Sequence, residues 1–271
     1  MRTILDELVE AKKQRLDAAR ARVALAELKA RCRELAPPRD FAAALRNGET
    51  ISVIAELKRS SPSAGTIRAH CPAATWAAGY EQAHAAAISV LTEESRFGGS
   101  LDDLCAVSAA VHVPVLRKDF IFDPYQLYEA RANGADTVLL IAEVLRGSSR
   151  LADLLGIARE LGMEPLVEIY EPENVPWVLE CGPVVVGVNN RDLRTFRVDL
   201  ERTALIAPAI PDACVLVSES GIWSVADVER VAAVGVDAVL VGESLMRSHD
   251  PAAQIRAFRA VLRRPRGRRH V

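Results

Sequence analysis

Apolar positions along this chain follow two rhythms, and the change between them divides it. Over residues 3–34, Ile4, Leu5, Leu8, Val9, Leu16, Val23, Leu25 and Leu28 stand among many charges, spaced as on one face of a helix. This predicts a long amphipathic helix or a pair of them, ended by Pro37 and Pro38, with a short helical stretch over about 40–47. From Ile51 onward, short β-rich apolar runs recur at 51–57, 87–91, 113–117, 137–142, 164–169, 184–189, 214–218 and 238–241. Stretches with helical spacing lie between them, such as 125–133, 151–161 and 225–234. Several end in a glycine that feeds the next run: Gly134, Gly162, Gly182 and Gly235.

Near-continuous Val/Ile/Leu strands alternating with helices imply parallel strands covered by helices. Eight such units fit a closed (β/α)8 TIM barrel over 49–262 better than an open sheet. The doubly wound alternative lacks support, because no strand is followed by G-x-G-x-x-G. The barrel is expected to carry an N-terminal helical extension, 1–48, over it. A basic tail, 263–271, is expected to be disordered.

Composition narrows the function. The chain has 271 residues, half of them hydrophobic, and a net charge of -2, so one large core is available and nothing marks a nucleic-acid or membrane binder. No apolar run approaches the roughly 20 residues needed to span a bilayer, and the charged N-terminus has no signal-peptide core. Five cysteines, Cys32, Cys71, Cys105, Cys181 and Cys214, form no C-x-x-C pair and are odd in number. They read as thiols of a reducing compartment, hence a cytoplasmic protein.

In a parallel barrel, chemistry sits where strands end and the following loops begin. Those positions carry Glu56 and Lys58; Arg117, Lys118 and Asp119; Glu168; Asn189, Asn190 and Arg191; Glu219, Ser220 and Gly221; and Gly242, Glu243 and Ser244. Residues two apart on a strand share a side, so Glu56 and Lys58 face the same way. An opposite-charge pair there reads either as a surface ion pair or as part of a pocket for a charged substrate. Convergence of such groups on one rim favours the pocket. The glycines after strands seven and eight read either as a backbone phosphate clamp or as tight turning. Within a clamp, Glu243 is expected to offer only its N–H, since its carboxylate would repel phosphate. Two lysines among glutamates suit acid/base work, one group holding a proton while another accepts it. The histidines (His70, His84, His112, His249 and His270) fall off the rim, so neither a metal nor a histidine-based triad is expected, and no cofactor.

Seven segments in order, IAELKRSSPS, SVLTEESRFGGS, PVLRKDFIFDPYQ, LVEIYEPE, GVNNRDLRTFRVDL, LVSESGI and LVGESLM, together resemble the indole-3-glycerol phosphate synthase family over nearly the whole chain. The resemblance implies a lyase of tryptophan biosynthesis that acts as a decarboxylase. Its substrate would be 1-(o-carboxyphenylamino)-1-deoxyribulose 5-phosphate, and its products indole-3-glycerol phosphate, CO2 and water. Lys118 would match the family's general acid, Glu168 the base of the dehydration, and Lys58 a second lysine paired with Glu56. The sharing of acid work between the two lysines stays open. Asn189, Glu219 and Ser220 would orient the substrate hydroxyls and lysines; Ser61 and Arg191 would lie near the anthranilate carboxylate. Gly221, Gly242, Glu243 and Ser244 would form the phosphate loop. Phe97, Leu116 and Leu139 are expected to sandwich the aryl ring. The expected partner is this phosphorylated small molecule, with neither nucleic acid nor membrane, on a monomer or weak homodimer. The chain departs from the family pattern at Ala64, where lysine is common, at Arg96, and at His84, where glycine is more usual. Two other readings remain: a related sugar-phosphate isomerase barrel, and an idle paralogue that binds without turnover. The paired lysines and glutamates argue against both.

Overall fold

The computed structural model describes residues 4–46, 48–192 and 194–266. The amphipathic stretch forms two helices, α1 (Ile4–Arg22) and α2 (Leu25–Glu34), divided at Ala24, whose backbone is extended at φ -69° and ψ 144°. A short helix α3 (Phe41–Arg46) follows the two prolines.

Eight parallel strands come next: β1 (Ser52–Leu57), β2 (Ala87–Leu91), β3 (Val115–Lys118), β4 (Thr137–Ile141), β5 (Leu166–Ile169), β6 (Val185–Asn189), β7 (Val215–Glu219) and β8 (Ala238–Val241). Each pairs with its sequence neighbours, and β1 pairs with both β2 and β8, closing the barrel. Helices connect the strands, and a two-residue hairpin, Ser60–Ser61 with Gly65–Thr66, stands in the loop after β1. Between a helix end and the next strand the chain must reverse, and Gly134 (φ 88°) does so left-handed. His84 adopts the same region at φ 66°, which explains why glycine is the more usual residue there.

Alternation along each strand sorts its side chains. On β1, Val53, Ala55 and Leu57 join the outer core against the helices. Ile54 joins the interior core, and Glu56, two residues on, is buried in the same inward series. On β3, Val115 faces the helices and Leu116 the interior, so Lys118 continues the inward series and Arg117 the outward one. Arg117 is therefore not a rim group as the sequence suggests. It lies 1% exposed outside the strand wall, bonded to Thr92, Asp119, Glu129 and the Gln126 carbonyl.

The N-terminal segment wraps the barrel from one end to the other. Leu5 and Leu8 of α1 belong to the interior apolar cluster with Phe120 and Ile141. Ion pairs join Lys12 to Asp119, Arg15 to Glu93 and Glu94, and Arg20 to Asp123, so α1 crosses the mouth where the strands end. Next, α2 packs down the side against the helix Pro124–Ala132; the Tyr125 hydroxyl donates to the Ala19 and Val23 carbonyls at the bend before it. Finally, α3 closes the opposite end: Phe41 and Leu45 cluster with Val185, Val215 and Ala238 at strand beginnings, and Ser52 donates to the Leu45 carbonyl. The segment thus covers the mouth with α1 and plugs the base with α3.

The basic tail departs from its expected disorder over its described part, 263–266. Arg263 and Arg266 both pair with Asp237 at the start of β8. Arg266 also donates to the carbonyls of Gly235, Pro211 and Cys214. An acidic group and several carbonyls at the barrel base give these arginines a site. Residues 267–271, His270 among them, lie outside the described residues. Among the described residues, no helix is long and apolar enough to cross a membrane.

Candidate active site

The inward groups at the strand ends meet in one cleft of about 990 Å³, mouth included. Lys118 of β3 stands at its centre. Its Nζ is 3.5 Å from Glu168 Oε2 of β5 and 3.5 Å from Glu219 Oε2 of β7. Three alternate strands thus present one ammonium to two carboxylates, each 1% exposed. Burial opposes the charge on Lys118, but Glu168, Glu219 and Glu56 together outweigh it and hold the lysine protonated. Glu219 goes the other way. Burial and the neighbouring Glu168 charge raise its carboxyl well above the usual range despite Lys118. One ammonium cannot fully compensate two buried carboxylates, and the imbalance favours the protonated form of Glu219.

The second lysine sits differently. Lys58 Nζ is 3.6 Å from Glu56 Oε1, and Glu56 also accepts from Ser89 at 3.3 Å. Burial lowers the Lys58 ammonium, an effect that Glu56 only partly offsets and that Arg191 reinforces. The two lysines of one cleft are therefore tuned in opposite directions. Room for Glu56 comes from Gly242, where a Cβ would lie 2.5 Å from the Glu56 carboxylate.

Asn189 holds Glu168 in place. Its amide donates to Glu168 Oε1 at 3.0 Å, while its oxygen accepts from the Arg191 N–H at 3.0 Å. Arg191 bridges the mouth, donating to Ser63 at 3.1 Å and pairing with Glu243 at 3.7 Å. Glu243 was expected to offer only its N–H; its carboxylate lines the cleft instead, neutralised by Arg191 and, at 3.2 Å, by Arg247. At the same end Ser220 (φ 67°) and Gly221 (φ 82°) are successive left-handed residues, and Ser244 donates to the Ile222 carbonyl, tying the last two loops together. Successive left-handed and turn residues expose backbone N–H groups to an anion. Opposite them, Phe97, Phe120, Leu139 and Ile141 form an apolar wall.

Of the residues expected to form the site, Glu56, Lys58, Ser61, Phe97, Lys118, Leu139, Glu168, Asn189, Arg191, Glu219, Ser220, Gly221, Gly242, Glu243 and Ser244 all line this cleft. Leu116 does not. It is fully buried in the interior core, one inward position below Lys118, and Phe120, two residues beyond that lysine, faces the cleft instead. Sequence reasoning passed over Phe120 although the two-residue step pointed to it. It also passed over Glu93, whose carboxylate gathers the N–H groups of Ser95, Arg96 and Phe97 at 2.8–3.2 Å and shapes the loop bearing Phe97. Asn190 is not in the cleft; it turns outward to Ser218, Thr203 and the Ser220 carbonyl. Glycine at 187 carried no sequence signal, yet a Cβ there would lie 2.1 Å from Glu219 Oε1.

Comparison with known proteins adds an independent line. Residues 5–258 match the family model described as indole-3-glycerol phosphate synthase. The chain is 48% identical over 258 residues to the indole-3-glycerol phosphate synthase of Rhodopirellula baltica, spanning 95% of this chain and 99% of that one. It is 47% identical over 253 residues to that of Mycobacterium avium, spanning 93% and 92%. Among solved structures, 3-hexulose-6-phosphate synthase from Salmonella typhimurium aligns with a TM-score of 0.64 at 19% identity, over 78% of this chain and 98% of that one. Thiamine phosphate pyrophosphorylase from Pyrococcus furiosus aligns at 0.59 and 17%, over 80% and 96%. At those identities the likeness is one of fold.

Proposed function

We infer how this cleft divides its work from one premise: the chain belongs to the indole-3-glycerol phosphate synthase family, carboxy-lyases of tryptophan biosynthesis. The substrate, 1-(o-carboxyphenylamino)-1-deoxyribulose 5-phosphate, is flexible and anionic at both ends. Its phosphate sits on the loops at Ser220–Gly221 and Gly242–Ser244, its carboxylate faces Arg191 and Ser61, and its aryl ring lies along Phe97, Phe120 and Leu139. Two anchors bend the chain so that the ring carbon bearing the carboxylate approaches the ribulose carbonyl.

Bond formation between those carbons drives the carbonyl electrons onto oxygen. An alkoxide is a far stronger base than an amine, so Lys118 yields its proton to it although its neighbours favour the charged form. The carbon–carboxylate bond then breaks, CO2 leaves, and the electron pair restores the aromatic ring. In the dehydration, Glu168 takes a proton from the ring carbon next to nitrogen while the hydroxyl departs. Lys58, whose pKa burial lowers, is the better acid for that departing oxygen. Two protons are given and one is taken, so the whole reaction draws one proton from solvent.

The observation that carries this reading is Lys118, 3.5 Å from both Glu168 and Glu219 within the cleft. A monomer or weak homodimer in the cytoplasm is the matching state: strand ends and loops of one chain line the cleft, and the described cysteines are free thiols. The extension 1–48 works as part of the barrel domain.

The test is an assay of the purified protein with that substrate, following indole absorbance and fluorescence, beside Lys118→Ala. Indole formation that Lys118→Ala nearly abolishes is expected. Binding without turnover in the wild type would overturn the reading in favour of an idle paralogue, and turnover unaffected by Lys118→Ala would overturn the role of the lysine.

A further inference from the structure

The backbone carrying Lys118 is gripped on both sides of that residue. Its two sequence neighbours, Arg117 and Asp119, pair with each other at 3.1 Å. Asp119 Oδ2 also accepts from Thr92 at 2.6 Å and meets the Lys12 ammonium of α1; Oδ1 accepts from the Phe120 N–H at 2.9 Å. Thr92 in turn accepts from Arg117 Nε at 3.0 Å, and Arg117 reaches Glu129 at 2.9 Å. The side chains of Arg117 and Asp119 are 1% and 0% exposed, and that of Lys12 is 11% exposed.

Charges in this knot balance only with Lys12. Asp119 and Glu129 bring two carboxylates, and Arg117 can serve both only by dividing its guanidinium. Lys12, from a helix more than a hundred residues away in sequence, supplies the second cation. Without it a wholly buried carboxylate beside Lys118 would compete with Glu129 for Arg117, and the end of β3 would have to shift to serve both. The same face of α1 also holds the neighbouring loop, through Arg15 to Glu93 at 3.5 Å.

We propose that Lys12 is a positioning residue for the reaction: through Asp119 and Arg117 it fixes the end of β3, and so aims Lys118, making the seating of α1 a condition of catalysis. This rests on Lys118 being the acid of ring closure. Displacement of an acid by a fraction of its hydrogen-bond length weakens proton transfer without removing the substrate's anchors, which lie on the far loops.

The experiment compares wild type, Lys12→Met, Lys12→Arg and Lys118→Ala in steady-state kinetics, with thermal unfolding of each to show that it is folded at the assay temperature. Lys12→Met is expected to lower kcat about tenfold or more with KM within about twofold, and Lys12→Arg to recover most of that loss. A lowered Tm with kcat and KM unchanged would overturn the proposal, leaving the contact purely structural. A raised KM at unchanged kcat would also overturn it, making α1 only a cover that retains substrate. If Lys12→Met does not fold, Thr92→Val, which removes one bond to the same carboxylate oxygen, is judged by the same split. Should Lys118→Ala keep its activity, the assignment of the acid fails; should it lose activity while Lys12→Met keeps it, only the positioning role fails.

Discussion

Glu219 occupies the space that a side chain at residue 187 would need: a Cβ on Gly187 would stand 2.1 Å from Glu219 Oε1. Residue 187 faces inward on β6, between Glu168 on β5 and Val217 on β7 in register, and Glu219 borders the open cleft, into which a methyl at 187 would push its carboxylate. Gly187→Ala should therefore drive Glu219 out of its position beside Lys118. We expect kcat to fall by about a hundredfold and stability by about 1–3 kcal/mol, read by steady-state kinetics and chemical denaturation. An alanine variant with wild-type kcat would show that the position of Glu219 does not matter.

Glu219 itself predicts a gain of stability with a loss of function. Its carboxyl is raised in the fold by burial and by Glu168, so the folded state holds a proton that the unfolded chain releases. Such a group contributes stability below its unfolded pKa, and that contribution is lost as pH rises through the folded value. Glu219→Gln should remove this loss and stabilise the protein near neutral pH, while lowering kcat. Calorimetry from pH 5 to pH 8 checks it (both limits on the order of the usual working range): the Tm difference between variant and wild type should widen with pH. A difference that narrows would contradict the assigned direction.

Asn189 donates to Glu168 at 3.0 Å and accepts from the Arg191 N–H. Asn189→Leu should leave KM within about twofold and lower kcat by about 10–100-fold, since Glu168, the proposed base, loses its orientation. An increase confined to KM would instead make Asn189 a substrate ligand.

Arg191 is the reverse case. It spans the mouth between Ser63 and Glu243, and the proposed reading gives it the substrate carboxylate. Arg191→Lys keeps the charge and loses the fork, so KM should rise about tenfold with little change in kcat. Equal loss in kcat and in kcat/KM would place the arginine in the chemistry.

At the barrel base, Arg266 serves Asp237 and several carbonyls with a side chain 7% exposed. Arg266→Ala should cost about 2–3 kcal/mol of stability and leave kcat unaltered at temperatures where the protein is folded. A variant as stable as wild type would mean that the tail rests on the base without supporting it.

Local periodicity was enough for much of this molecule. Two-residue alternation put Glu56 and Lys58 on one side of β1, helical spacing marked α1 and α2, and eight apolar runs gave the barrel, because backbone geometry repeats over a few residues whatever surrounds it. Depth and partnership do not repeat in that way. Leu116 and Phe120 are both inward on or beside β3, yet one fills the core and the other lines the cleft, because the closed barrel sets how deep each inward residue lies. Arg117, Lys118 and Asp119 are adjacent in sequence, yet only the closed barrel decides that Lys118 meets Glu168 and Glu219 while Arg117 stays behind the wall. Likewise, α1 could have covered either end; Lys12 and Arg15 finding Asp119 and Glu93 seated it on the mouth. The tail's arginines read as solvated until folding brought Asp237 and the carbonyls at the base within their reach. Residue type and spacing determined the elements and the chemical inventory; closure, stagger and long-range ion pairs decided which of those groups act together, since their energies depend on burial and distances between strands and helices far apart in the chain.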